Sequence, residues 1–265
     1  MEFIDTHCHI IPGVDDGAPD METSVGMAEI ATADGIVTVV ATPHIVEGLY
    51  NGADLTDRLK DLAALLSDRG IMLDLVAGAE VPLSACLALE ADELAGLTIG
   101  RSRYLLIETF DAGIEHLHRV VHHINSCGLY AIIAHPERIC FALREMEVLR
   151  EMVVSGRVLC QLTAAAIEGL HGKKVQRTCF DLARAGMAHL VATDAHSDRV
   201  RVPRLSGSLK ILGHILGKED AENIILANAE SVLRDLEIKT EVREFSGRQR
   251  PLSRFFRNRK KGRLF

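Results

Sequence analysis

Tryptophan is absent from this 265-residue sequence, and aromatic residues make up only 4% of it. Long apolar runs are missing as well, because the longest ones, such as GIVTVVAT, are too short to cross a bilayer. The amino terminus, MEFIDTHCHI, lacks the basic segment and following apolar stretch of a signal peptide. We therefore expect a cytoplasmic protein.

Cysteine-based signatures are also absent. The six cysteines include no Cys-x-x-Cys pair, which argues against a zinc ribbon and favours reduced, mostly buried thiols. None of them is followed six positions later by arginine, which excludes the phosphate-binding loop of cysteine-dependent phosphatases. The Gly-x-x-x-x-Gly-Lys-Ser/Thr loop of nucleoside triphosphate-binding proteins is missing too.

Positive charge is scarce outside the carboxyl terminus. The net charge is −7, yet the segment from Phe245 to Phe265 contains eight basic residues and no acidic ones, which leaves about −15 on residues 1–244. An acidic body binds nucleic acid poorly, so we expect no nucleic-acid partner. The basic segment has three interpretations: a disordered solubilising tail, contact with an anionic membrane surface, or docking to an acidic or phosphorylated partner.

Seven short apolar runs alternate with helical patterns along the chain. The runs are EFIDTHCH, IVTVVATPH, IMLDLVAGAE, RYLLIETF, YAIIAHPER, RVLCQLTA and AHLVATDAH. Several helical stretches end in a glycine where a helix C-cap is expected, namely Gly35, Gly70, Gly128 and Gly186. This alternation predicts a parallel sheet, and seven units favour a closed TIM-like α/β barrel over a doubly wound open sheet. We expect one domain over residues 1–240 and a tail over residues 241–265.

Six of the seven runs end in metal-type side chains, and the parallel strands of a barrel would bring these ends together at one mouth. Residues two apart on a strand share a face. His7 and His9 should therefore point the same way, as should Asp194 and His196 if the last strand extends that far. The recurrence of these residue types predicts one shared metal site. Its candidate ligands are His7, His9, Asp16, His44, Glu80, Glu108, His135, Asp194 and His196.

Nine ligands are too many for a single ion. About four to six ligands saturate Zn²⁺ or Mn²⁺, so two or three ions bridged by a carboxylate or water are expected. Imidazole and carboxylate donors without thiolate suit Mn, Fe or Zn and argue against a purely structural zinc site.

The motifs DTHCH, DDGA, ATPH, GAE, IET, AHPER and TDAH occur in this order and resemble those of the polymerase-and-histidinol-phosphatase (PHP) superfamily. Within it, the chain is similar to the manganese-dependent protein-tyrosine phosphatases of bacterial capsule and exopolysaccharide operons, from Met1 to about Leu236. The resemblance implies a distorted seven-stranded (β/α) barrel, the PHP fold, with three metal ions.

The resemblance also assigns roles to individual residues. The first ion would be held by His7, His9, Glu108 and Asp194. The second would share Glu108 as a bridge and add His135 and Asp16. The third would be held by His44, Glu80 and His196. Two arginines, Arg138 and Arg201, would bind phosphate, with Arg199 as an alternative to Arg201.

These features imply a metal-dependent phosphotyrosine-protein phosphatase in which a metal-activated water supplies the hydroxide nucleophile. The arginines would stabilise the phosphoryl oxygens. A tyrosinate leaving group, with a pKa of about 10, needs less help from a general acid than an alkoxide. Asp15, Asp198 and a bound water are alternatives for that acid. Three other functions remain open: a histidinol-phosphate phosphatase or similar small-molecule phosphoesterase, a TatD-like metal-dependent deoxyribonuclease, and a non-catalytic docking module.

Partners follow from the same resemblance. It implies a membrane-bound tyrosine autokinase of polysaccharide export as the substrate protein, a partner compatible with lipid contact or docking by the basic tail. It also implies homo-oligomers that assemble through an early helix, here residues 20–34. Tyr50, after the second run, and Phe110, at the end of the fourth, are candidates for stacking on an aromatic substrate.

Overall fold

Strands and helices alternate along the chain, as the hydrophobic pattern predicts. The structure is a computed structural model that describes residues 1–45, 52–109, 114–141 and 143–243. The strands in these ranges are β1 (Phe3–Cys8), β2 (Ile36–Ala41), β3 (Asp74–Ala77), β4 (Glu80–Pro82), β5 (Tyr104–Glu108), β6 (Tyr130–Ala134), β7 (Val158–Thr163) and β8 (Leu190–Ala192). The α-helices are α1 (Met21–Asp34), α2 (Gly52–Asp68), α3 (Leu83–Ala88), α4 (Ala91–Gly96), α5 (Ile114–Ser126), α6 (Leu143–Ser155), α7 (Ala164–Ile167), α8 (Lys173–Arg184), α9 (Ser206–Leu216), α10 (Lys218–Glu222) and α11 (Asn228–Leu233).

The strands form two parallel sheets that close into one barrel. One sheet has the order β1-β2-β3 and the other the order β4-β5-β6-β7-β8. A bridge between His44 and Glu80 joins the sheets at one seam, and a bridge between Cys8 and Ala195 joins them at the other. The expected barrel is therefore confirmed, and the open-sheet alternative is wrong.

The third apolar run differs from the prediction, because it forms two strands instead of one. β3 pairs with β2, whereas β4 pairs with β5. The chain turns between them at Gly78, where a Cβ atom would lie 2.9 Å from Cγ1 of Val40. Only glycine fits this close approach without a shift. The turn transfers Glu80 to the second sheet, at the seam where the barrel closes.

The barrel interior is apolar toward the amino ends of the strands and polar toward their carboxyl ends. Side chains alternate in direction, so Tyr104 and Leu106 of β5 share an inner apolar cluster with Ile132 of β6 and Leu159 of β7. Continuing the same alternation places Glu108 and Gln161 on the inner face, nearer the carboxyl ends of the strands. The amino end of the barrel is thus closed by apolar packing, and polar side chains gather at the opposite end.

The helix-ending glycines and the cysteines agree with the predictions made from the sequence. All four predicted C-cap glycines have positive φ, between 71° and 94°, as helix-ending residues commonly do. All six cysteines are free, and five of them are buried. Residues 244–265 lie outside the described residues, so the division into a domain (1–240) and a tail (241–265) stays a prediction. Within the described residues, every helix is too short or too polar to cross a membrane.

Candidate metal centre

The carboxylate of Glu80 lies at the centre of the polar end of the barrel. It is fully buried and is surrounded by imidazole nitrogens of four histidines. Its Oε2 atom lies 3.2 Å from Nε2 of His7 and 3.4 Å from Nε2 of His9. Nδ1 of His44 is 3.3 Å from the same oxygen, and Nε2 of His135 is 3.1 Å from Oε1.

Asp194 is a second buried carboxylate, and it connects these histidines with two arginines. Its Oδ1 atom lies 3.7 Å from Nε2 of both His7 and His9. Its Oδ2 atom is 3.1 Å from Nη2 of Arg138 and 2.5 Å from Nη2 of Arg201. The two arginines therefore converge on one candidate metal ligand.

Arg199 is placed differently from Arg201. Its side chain is 87% exposed, and its Nε atom is 3.7 Å from Oδ1 of the neighbouring Asp198. Arg201 is only one-third exposed and bonds to Asp194. The structure thus brings Arg201 to the site and leaves Arg199 at the surface.

The outer part of the cluster is nearer to solvent. Asp16, with a side chain that is 67% exposed, places Oδ1 3.5 Å from Nε2 of His44 and 3.3 Å from Nε2 of His196. Oε2 of Glu108 lies 3.4 Å from Nδ1 of His44. With these residues, all nine candidate ligands predicted from the sequence lie in one connected cluster.

The grouping of these residues differs from the one that the resemblance implies. Four sets of ligand atoms lie within 4.8 Å of one another: His9, Asp16, His44 and His196; His7, His9 and Asp194; His7, Glu80 and His135; His44, Glu80 and Glu108. Glu80 belongs to two of these sets and Glu108 to one, because β4 carries Glu80 into the barrel while Glu108 ends β5 at the rim. Asp16 groups with His44 and His196 rather than with His135.

The backbone is strained at two candidate ligands. His135 has a backbone φ of 51° and Asp194 a backbone φ of 52°. Both lie in the left-handed region, which residues other than glycine rarely adopt. Such strain concentrates at functional sites. β8 ends at Ala192, so Asp194 and His196 do not share a face through strand alternation; the left-handed turn at Asp194 aims them into the cluster instead.

Four of the histidines have their Nδ1 atom held by a partner, which directs Nε2 toward the cluster. The partners are Oε1 of Gln161 for His7 (2.8 Å), Oδ2 of Asp15 for His9 (2.7 Å), Oγ1 of Thr163 for His135 (3.0 Å) and the backbone oxygen of Asp194 for His196 (3.0 Å). Metal-ligating histidines typically have this outer hydrogen bond, which fixes the tautomer and the ring orientation. The arrangement therefore suits metal binding through Nε2.

Sequence reasoning missed the contribution of β7, the one run without a metal-type residue. This strand supplies Gln161 and Thr163, the partners of His7 and His135. Gln161 also donates from Nε2 to Oγ1 of Thr6 over 3.0 Å, so its orientation is fixed at both ends of the amide. An amide in the middle of the apolar run VLCQLT was the signal that could have identified it.

The surroundings of Asp15, one of the side chains considered as a general acid, argue against that role. Asp15 accepts hydrogen bonds from the backbone nitrogens of Gly17 and His44 and from His9. Burial raises the pKa of Asp15, but these bonds outweigh it and lower the pKa, so the carboxyl group stays ionised. The other candidate, Asp198, lies against helix α1. A Cβ atom added to Gly26 of that helix would be 3.0 Å from the Cβ atom of Asp198.

Gly17, the glycine of the DDGA motif, allows the Asp15–Gly17 turn to fold directly onto His9. A Cβ atom at this position would lie 2.3 Å from the backbone oxygen and 2.4 Å from Cβ of His9. No side chain can be accommodated there. The glycine thus keeps Asp15 within reach of Nδ1 of His9.

The electrostatics of the cluster favour bound cations. Burial raises the pKa of Glu80, but the charge and hydrogen bonds of His7, His135 and His9 outweigh it and hold the pKa well below its usual range. Burial lowers the pKa of His9, but Asp15 and Glu80 raise it to about 10. Buried carboxylates that force a proton onto a neighbouring imidazole provide a negative potential. This donor set therefore fits divalent metal ions.

His171 is a further residue at the mouth that sequence reasoning missed. It lies in the loop between α7 and α8, and it is half-buried. Burial and the charges of Arg138 and Arg201 lower its pKa. The loop follows β7, which lies in the sheet between β6 and β8, the strands that lead to Arg138 and Arg201. Tyr50 and Phe110, the predicted stacking residues, lie outside the described residues.

The fold and the cluster define a class of protein, an α/β barrel with a polynuclear candidate metal site at the carboxyl ends of its strands. Residues 3–234 match the family model described as capsular polysaccharide synthesis, CpsB/CapC. The chain belongs to this family.

Relatives of known name agree with this assignment. The tyrosine-protein phosphatase YwqE of Bacillus subtilis is 31% identical over 88% of this chain and 92% of its own length. CpsB of Streptococcus agalactiae, also named a tyrosine-protein phosphatase, is 25% identical over 88% of this chain and 99% of its own.

Similarity to solved structures extends over most of the barrel. A chain from the crystal structures of YwqE and of Streptococcus pneumoniae CpsB, described as unique metal-dependent tyrosine phosphatases, superimposes with a TM-score of 0.80 and 31% identity. It covers 90% of this chain and 97% of that one. A β-aspartyl dipeptidase from Fervidobacterium islandicum shares the fold alone, with a TM-score of 0.51 and 14% identity over 88% of this chain and 74% of that one.

Proposed function

We propose that this protein is a metal-dependent phosphotyrosine-protein phosphatase. The observation that carries the proposal is the convergence of Arg138 and Arg201 on Asp194, within a buried cluster of histidines and carboxylates. Arginines beside a metal site offer paired N–H donors for phosphate oxygens. The names of the relatives support tyrosine phosphate as the group that is hydrolysed.

We propose Mn²⁺ as the bound metal, in two or three copies, with Fe or Zn as the alternatives that the same donors accept. The ligands would be the nine residues of the cluster: His7, His9, Asp16, His44, Glu80, Glu108, His135, Asp194 and His196. When bound, such ions polarise a phosphoryl oxygen and activate water as a nucleophile.

Side chains of the protein would bind the phosphoryl group and orient the metal ligands. Arg138 and Arg201 would hold the equatorial phosphoryl oxygens and neutralise the charge that develops on them during transfer. Gln161 and Asp15 would keep His7 and His9 in the tautomer that presents Nε2. Because tyrosinate is a good leaving group, with a pKa of about 10, the reaction can proceed without a strong general acid.

A membrane-bound tyrosine autokinase of polysaccharide export is the substrate protein that we propose. The support is the description of the family, which places its members in capsular polysaccharide synthesis. Contact of the basic tail (241–265) with an anionic membrane surface would bring a cytoplasmic phosphatase close to such a kinase. Assembly into homo-oligomers through α1 (Met21–Asp34) is a further part of this proposal.

Phosphate release from a tyrosine-phosphorylated peptide tests the function. We expect turnover with added Mn²⁺, complete loss with EDTA, and a higher kcat/KM than for histidinol phosphate. Preference for histidinol phosphate would instead indicate a small-molecule phosphoesterase. No turnover of either compound by protein shown to contain metal would refute phosphatase function.

A further inference from the structure

Large apolar side chains are exposed on three neighbouring loops of the barrel mouth. Phe141 follows β6, Leu170 follows β7 and Val200 follows β8, and these strands are adjacent in the sheet. Their exposures are 43%, 71% and 82%. Single exposed apolar residues are ordinary, but a group of them around a site indicates an interaction surface.

Hydrogen bonds donated by the backbone amides of Leu170 and Val200 close two of these loops. The amide of Leu170 donates to the oxygen of Ala165 over 2.9 Å, which closes the turn after α7. The amide of Val200 donates to Oγ of Ser197 over 3.1 Å. Leu170 and Val200 are therefore presented to solvent by closed turns.

The loop after β7 and the start of α8 add positive charge to this surface, in contrast to the acidic body of the protein. Residues 169–177 contain Lys173, Lys174 and Arg177 and no acidic residue. Nζ of Lys174 lies 4.1 Å from the ring centroid of Phe141, which connects the loop after β6 with the start of α8. Its charge is thus held beside an apolar side chain.

This surface lies next to the phosphate-binding arginines. Arg138 is in the loop of Phe141, and Arg201 follows Val200 directly. The loop of Leu170 follows β7, which lies between β6 and β8, the strands that lead to the two arginines. A phosphotyrosine held by Arg138 and Arg201 would thus leave its flanking residues against the three loops.

We propose that Phe141, Leu170, Val200, Lys173 and Lys174 form a docking face for the peptide segment that flanks phosphotyrosine in the substrate protein. The face fits a segment with both acidic and large apolar side chains, because it offers ammonium groups beside apolar surface. The inference rests on the proposed phosphatase function and adds the sequence class of the substrate.

Steady-state kinetics of the Mn²⁺-loaded full chain separate docking from chemistry. The substrates are p-nitrophenyl phosphate, a phosphotyrosine peptide flanked by glutamate and leucine, and the same peptide with serine at those positions. The variants are the double substitutions Leu170→Ser/Val200→Ser and Lys173→Glu/Lys174→Glu. Met72→Ser, at an 85% exposed position before β3, and Lys239→Glu, at an exposed position after α11, are the controls.

Each double variant is expected to raise KM for the acidic, apolar peptide about tenfold, the effect of losing one buried leucine-sized contact or a similar charge contact. Its kcat, and its activity on p-nitrophenyl phosphate and the serine peptide, should match those of the controls. An unchanged KM, or an equal loss on p-nitrophenyl phosphate, would overturn the docking face.

Two further outcomes have distinct meanings. If the wild type hydrolyses none of the three substrates, the phosphatase function fails. The docking face is then judged by fluorescence anisotropy of the labelled acidic, apolar peptide, which the double variants should bind about tenfold more weakly than the controls. Loss of sedimentation with phosphatidylserine vesicles, with peptide KM unchanged, would assign the surface to lipid and refute the proposal.

Discussion

Two buried histidines at opposite ends of the barrel have opposite electrostatic environments. His9, at the carboxyl end, bonds through Nδ1 to Asp15 at 2.7 Å, and Nε2 faces Glu80 at 3.4 Å. His189 precedes β8; its Nδ1 accepts a hydrogen bond from the amide of Cys160 at 3.0 Å, and its Nε2 has no hydrogen-bond partner among the described residues. The pKa of His9 is raised to about 10 despite burial, whereas burial lowers that of His189 to about 4.

The difference shows how the barrel separates function from stability. The carboxyl end concentrates buried carboxylates, which favour positive charge and hence metal ions. The amino end keeps its buried polar groups neutral, as with the Tyr104 hydroxyl, which donates to the backbone oxygen of Leu236 over 2.6 Å. Charges at that end, such as Arg103 and Asp235, remain partly exposed.

The largest effect is expected at the centre of the charged end. Glu80→Gln keeps the size of the side chain but removes the charge that faces four imidazoles. We expect kcat to fall by about 10³-fold, together with the content of bound metal. Glu108→Gln, at the rim, is the matched control and should cost only about tenfold. Mass spectrometry measures the bound metal of each variant, and turnover of p-nitrophenyl phosphate measures its kcat. Equal losses in Glu80→Gln and Glu108→Gln would contradict a central role for Glu80.

The arginines give the next largest effect. Arg138→Ala or Arg201→Ala should lower kcat/KM for aryl phosphates by about 10²–10³-fold, as expected for loss of one oxyanion donor. Arg199→Ala should leave it within about twofold, because an exposed charge contributes little. Inhibition by inorganic phosphate should weaken in the first two variants only. A large loss in Arg199→Ala would show that the phosphate contact lies two positions earlier.

His189 tests the neutral end through pH. An unfolded histidine titrates near pH 6.5, so below that pH the unfolded chain binds a proton that the folded protein cannot accept until about pH 4. Stability is therefore lost as the pH falls, by about 2–3 kcal/mol over this interval. His189→Asn keeps an acceptor for Cys160 and should flatten this part of the profile. Urea unfolding of the wild type and of His189→Asn between pH 7 and pH 4 measures the pH dependence of stability. Parallel profiles of the two proteins would show that His189 does not cause this dependence.

The outer hydrogen bonds of the cluster are expected to have a smaller effect. Gln161→Leu removes the acceptor for Nδ1 of His7 at nearly constant volume. Affinity for Mn²⁺ should weaken by about 10–100-fold, and Gln161→Glu should restore most of it. Calorimetric titration with Mn²⁺ gives the affinities, and urea unfolding of the metal-free variants separates positioning from stability. Equal Mn²⁺ affinities for the leucine and glutamate variants would show that Gln161 has no positioning role.

Sequence reasoning could predict much of this architecture because strand ends are visible in the pattern. The apolar runs marked the strands, and their last residues, among them His44 and His135, were brought together by the barrel as expected. Their assignment as metal ligands stays a prediction. The convergence needed only the alternation of strand and helix.

Other features depend on contacts that the pattern does not contain. Glu80 became central because the chain breaks at Gly78, and that break depends on a close approach to Val40 of another strand. Gln161 meets His7 across 154 positions of sequence. The left-handed backbone conformation at Asp194 cannot be predicted from the type of residue at that position. Each of these is set by tertiary packing.

The smallest effect is expected at the exposed ion pair of the amino end, and it tests whether the two ends are independent. Asp235 has φ of 55°, a conformation that asparagine tolerates, so Asp235→Asn removes charge with little backbone cost. The pair with Nε of Arg103 spans 2.9 Å but is partly exposed, so the variant should shift the midpoint of urea unfolding only slightly. Metal content and kcat should not change, since the ion pair belongs to the end of the barrel opposite the cluster. A change in either would show that the apolar interior transmits strain between the ends and would break the separation of stability from function.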